Sequence, residues 1–191
     1  MWPLGDDAVL TRDEALRILD DLQVSPNIRK HCLAVEAFMR ALAEHFGEDP
    51  EEWGLVGLLH DADYEATQKD LSRHPLLVCA IARERGASET VIYGILAHAE
   101  RAPLDRRIGQ AIYACDNLAG LIVAAALVHP ERRLGALTVD FVLRKFKEKS
   151  FARSANRAEI LTCETNLGIP LPEFIAIGLR ALQGISDQLG L

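Results

Sequence analysis

The chain has 191 residues, enough for one domain with a substantial core, and 49% of them are hydrophobic. Its 28 acidic and 21 basic residues give a net charge of −7, which argues against a surface built to grip nucleic-acid phosphates. The opening Met1-Trp2-Pro3-Leu4-Gly5-Asp6-Asp7 has no basic segment followed by an apolar one, so no secretory leader is expected.

In chain order, Thr11 and Glu14 form a capping-box pattern that opens a short helix over about Arg12 to Leu22. Ser25-Pro26 opens a long helix to Phe46, closed by Gly47. Pro50-Glu51-Glu52 starts the next, which runs through an apolar stretch into His60-Asp61, and a polar segment from Asp63 to Arg73 follows. His74-Pro75 begins a helix to Arg85-Gly86, and Ser88 caps another to about Arg101. A long apolar helix is expected from about Asp105 to Val128. Its longest apolar run, Leu118 to Val128, is too short to span a bilayer, so no membrane partner is expected.

Helical periodicity continues over Thr138 to Lys147, Ala155 to Leu167 and Pro170 to Leu189, and no stretch alternates as a strand does. The fold class is all-α. One domain is expected, with a core over about 25–130 and a C-terminal helical extension over about 138–191 packed on it. The four cysteines, Cys32, Cys79, Cys115 and Cys163, lie singly with no CxxC spacing. They read as buried thiols of a cytoplasmic protein, not as disulfides or a thiolate zinc site.

Several polar residues fall where apolar ones belong. His31 lies on the stripe of Ile28, Val35, Phe38 and Leu42; a satisfied core histidine is the plainer reading, a metal ligand the sharper one. Asp116 shares a face with Ile112, Ala119 and Val123, where a carboxylate should be paired, protonated or metal-bound. His60-Asp61 ends an apolar helix and reads equally as a solvated helix end. His98 falls on the stripe of Val91 and Ile95, and His74 stands at a helix start. His45 lies roughly 21 Å along its helix from His31, and His129 roughly 20 Å from Asp116, so neither can serve the same ion.

The order His31, His60-Asp61, Asp116 on successive helices resembles the HD superfamily of metal-dependent phosphohydrolases. The strings His60-Asp61-Ala62-Asp63-Tyr64-Glu65, Ala97-His98-Ala99-Glu100, Cys115-Asp116-Asn117-Leu118-Ala119-Gly120 and Phe146-Lys147-Glu148-Lys149-Ser150-Phe151, with Cys163-Glu164, are similar to a group of bacterial predicted HD-superfamily hydrolases. The resemblance implies a helical HD bundle with a C-terminal helical pair. It also implies one divalent ion on His31, His60, Asp61 and Asp116, and a second on His74 and His98 with Asp61 as the bridge.

The expected reaction is hydrolysis of a small phosphorylated, nucleotide-like substrate through a metal-activated water, with Asp61 at its centre. The nitrogen and oxygen donors admit Mn, Fe, Co, Ni or Zn. Glu65, four residues after Asp61, is a candidate for proton transfer beside its plainer reading as a solvated carboxylate. Lys149 and Arg157, in a basic stretch, are candidates to clamp a substrate phosphate or simply a solvated face. A non-catalytic nucleotide-binding or regulatory module with a structural metal is the alternative class.

Overall fold

In a computed structural model the described residues are 9–191, and among them the regular structure is helical throughout. The opening heptapeptide read above for a leader lies outside them. The helices are α1 (Arg12–Asp21), α2 (Pro26–Phe46), α3 (Pro50–Leu59), α4 (Leu76–Glu84), α5 (Glu89–His98), α6 (Arg107–Val128), α7 (Val139–Lys147), α8 (Arg157–Thr165), α9 (Leu171–Gln183) and α10 (Ser186–Leu189). A 3-10 turn, Leu134–Ala136, precedes α7.

The helix starts follow from side chains that satisfy otherwise orphaned amide groups. Thr11 and Glu14 complete the capping box of α1, while Ser25, Asp49 and Ser88 accept backbone N–H groups at the starts of α2, α3 and α5. Gly47 closes α2 with a left-handed φ of 69°, a conformation glycine adopts without strain.

Two boundaries differ from the sequence reading. Helix α5 stops at His98, because Glu100 turns to a φ of 56° and the Arg101 N–H returns to the Leu96 carbonyl at 2.9 Å. The helix expected over Pro170 to Leu189 breaks at Gly184-Ile185 into α9 and α10.

Helices α2 and α6 form the spine. Helix α3 lies directly on α2, and α5, α8 and α9 pack around the pair. The α2–α3 approach is close because Gly57 has no side chain: a Cβ there would stand 2.7 Å from the backbone of Glu36. That contact also sets the site, since His31 lies just upstream on α2 and His60 three residues beyond Gly57. On the other face of α2, Phe38 packs on Phe174 of α9, with ring centres 4.9 Å apart. The four cysteines are buried free thiols, and burial raises the Cys32 and Cys115 pKa values.

Leu118–Val128 is only part of the 22-residue α6, which is long and apolar enough to cross a membrane by length and composition. Of its most apolar window, 56% is buried inside the protein, as the central helix of a packed core would be.

Candidate metal centre

The ends of α3 and α5, the N-terminal part of α2 and the middle of α6 converge on one point. Asp61, just past the end of α3, lies at its centre. Its Oδ2 is 3.7 Å from Nε2 of both His31 and His60, and its Oδ1 is 3.4 Å from His74 Nε2 and 3.7 Å from His98 Nε2. Asp116 Oδ1 lies 2.8 Å from His31 Nε2 and 3.6 Å from His60 Nε2. The side chains thus form two groups that could each hold an ion, His31/His60/Asp116 and Asp61/His74/His98.

The imidazoles are oriented from behind. His60 Nδ1 is 2.7 Å from the Gly57 carbonyl, and His98 Nδ1 faces the Ile95 carbonyl, each three residues back in the final turn of its helix. His74 Nδ1 is 2.6 Å from Asp63 Oδ1, and Asp63 Oδ2 accepts the Val78 N–H at 3.0 Å. A ring whose Nδ1 donates to an oxygen presents a lone pair at Nε2. Yet His74 and His98 hold those Nε2 atoms 3.0 Å apart, and His31 and His60 hold theirs 3.2 Å apart. Lone pairs that close repel unless a cation or proton lies between them, so the donor set fits a divalent metal.

The electrostatics favour positive charge between these groups. Burial opposes ionisation of Asp116, but hydrogen bonds from His31 and His60 outweigh it and hold the carboxyl well below its ordinary range. Burial likewise pushes His31 and His60 down, and the carboxylates of Asp61 and Asp116 reverse this to a net upward shift.

Among the described residues, two openings border the aspartates of the cluster. One, of about 650 Å³, borders Asp61, His74 and His98 and is rimmed by Tyr64, Glu100, Tyr113 and Glu159. Burial and the Glu100 carboxylate push the Tyr113 hydroxyl up to about 12. Glu159 is steadied by Asn117, whose amide donates to it at 2.7 Å. The other, of about 360 Å³, lies above His31 and Asp116 beneath the loop bearing Ala152 and Ser154.

Asp63 was not singled out from sequence. It reads there as the first residue of a polar loop, but it is fully buried behind His74. Its spacing, two residues after Asp61, is the only signal the chain offers.

Three expected site residues are not brought to the cluster. The exposed Glu65 carboxylate accepts the Ser25 N–H at 2.8 Å, across from the start of α2, so it braces that helix instead of facing Asp61. Arg157 spends its guanidinium on carbonyls of its own neighbourhood: Phe146 at 3.3 Å, Phe151 at 2.6 Å, Ala152 at 2.5 Å and Ala155 at 2.8 Å. It therefore shapes the loop that roofs the smaller opening. Lys149 is exposed and lines neither opening.

A family model described as the HD domain matches residues 28–126. A search of curated proteins and a search of solved structures found no match. The matched span covers more than half the chain, from the start of α2 to near the end of α6, and contains all six convergent histidines and aspartates. The chain belongs to the HD-domain family, whose members are typically metal-dependent hydrolases.

Proposed function

We propose that the chain is a metal-dependent phosphohydrolase acting on a small phosphorylated, nucleotide-like substrate. His31, His60, Asp61 and Asp116 hold one divalent ion, and His74 and His98 hold a second that shares Asp61. The observation that carries this reading is the disposition of Asp61, which turns one carboxylate oxygen toward each pair of imidazole nitrogens. Divalent ions bound there would polarise a phosphoryl oxygen and acidify a coordinated water.

The remaining work falls to the chain itself. Asp63 and the carbonyls of Gly57 and Ile95 keep the Nε2 lone pairs turned inward. Arg101 donates to the backbone carbonyls of His74 and Leu71, so it fixes the loop behind His74. Glu100 and Glu159 place negative charge at the larger opening, which favours a single phosphate over a chain of them. The donors are imidazole and carboxylate without thiolate, the set suited to Mn, Fe, Co, Ni or Zn.

The test loads the purified protein with Mn²⁺, measures bound metal and screens phosphomonoesters and phosphodiesters. Hydrolysis that chelator abolishes is expected, with His31→Ala and Asp116→Ala each losing bound metal. A fully loaded protein that cleaves no ester, or variants that keep wild-type metal content, would overturn the reading.

A further inference from the structure

Glycines inside α5 and α9 have packing reasons to be there. A Cβ on Gly94 would stand 2.7 Å from the Val56 side chain, and one on Gly178 would stand 2.6 Å from the Phe38 ring. Gly120, in the middle of α6, is different: an added Cβ would meet nothing within 4 Å. Glycine weakens a helix interior relative to alanine, so packing does not account for its presence.

What Gly120 borders is open space. Together with His31 it lines both the smaller opening above Asp116 and a groove of about 470 Å³ between α2, α6 and α10, so these two residues are common to both walls. The groove walls are Val123, Leu127 and Leu189, with Asn27 and Lys30 at the polar edge. A mainly apolar concavity of this size with a few polar groups is the usual form of a small-molecule site.

We infer that this groove takes the organic group of the substrate, an aromatic ring or short alkyl chain, and that Gly120 keeps open its passage to His31 and Asp116. The inference rests on the phosphohydrolase reading and adds to it where the half of the ester without the phosphate lies. Gly120 stands one turn beyond Asp116 on the same helix face, so a side chain longer than a methyl would project into the passage. Lys30 makes no ion pair among the described residues, and its charge at the groove edge suits an anionic ligand with an apolar tail.

The test measures binding of two non-hydrolysable ligands, 1-naphthylphosphonate and methylphosphonate, to the metal-loaded chain by calorimetry. The wild type is expected to prefer the naphthyl ligand by at least about tenfold, because only that ligand buries a large apolar surface. Gly120→Leu removes the preference while metal content stays at the wild-type level, and Gly120→Ala serves as a folding control by raising the melting temperature. Leu127→Gln, at a half-exposed position on the groove's outer wall, weakens the preference independently. A wild type with no preference, or a preference that survives both Gly120→Leu and Leu127→Gln, overturns the inference. A loaded protein that shows the preference yet cleaves no phosphate ester overturns the hydrolase reading and leaves the groove standing.

Discussion

Within two turns of α2 the protein gathers charge twice, by opposite means. Glu36, 3% exposed, is bracketed by arginines: Arg12 Nε at 2.6 Å and Arg40 Nε at 3.0 Å, with Arg40 continuing to Glu51 at 2.6 Å. This cluster is electrically complete. At His31 the carboxylates of Asp61 and Asp116 have only imidazoles as ion-pair partners among the described residues, and the imidazoles crowd nitrogen against nitrogen. Among the described residues no arginine or lysine pairs with that cluster. An internally neutralised cluster holds a fold together, whereas one left short of positive charge binds something.

Breaking each cluster should therefore do different damage. The largest effect is expected at the incomplete one: Asp61→Asn should empty the site by elemental analysis, His60→Ala should lose one of the two ions, and each should reduce ester hydrolysis to background. Glu36→Gln should instead cost about 2 kcal/mol in denaturant unfolding, because it takes the carboxylate partner from Arg12 and leaves Arg40 only Glu51, and metal content should stay at the wild-type level. Loss of metal in that variant would merge the two clusters into one.

Chelator sharpens the contrast. Stripping an ion present at a hundredfold excess over its dissociation constant should destabilise the wild type by about 2.7 kcal/mol and leave Asp61→Asn unmoved. Asp63→Asn is expected to weaken metal affinity by about 10–100-fold without emptying the site, read by competition with a chelating dye. The smallest change belongs to Glu65→Gln, which should shift stability by no more than about 0.5 kcal/mol and leave turnover at the wild-type level. A collapse in turnover would restore Glu65 to the chemistry.

Much of the helical order was legible because caps and apolar stripes are local signals. Ser25, Asp49 and Ser88 mark helix starts, and His31 and Asp116 stand out because stripe positions are otherwise apolar. Roles decided by distant backbone were not legible. Arg157 looks like a phosphate clamp until the carbonyls of 146–155 are seen to occupy it, and Glu65 looks catalytic until it meets Ser25 across 40 residues of chain. Asp63 was hidden for the converse reason: a buried carboxylate in a polar run has the same composition as a solvated one.

The carbonyls of Gly57 and Ile95 have a further consequence. They belong to final helical turns, where backbone oxygens lack an amide partner further along the helix, and here imidazole N–H groups occupy them. The ring orientations of His60 and His98 are therefore held by the backbone of α3 and α5 themselves. A centre prepared in this way would take up an ion without the chain refolding, its imidazoles already aimed by the backbone.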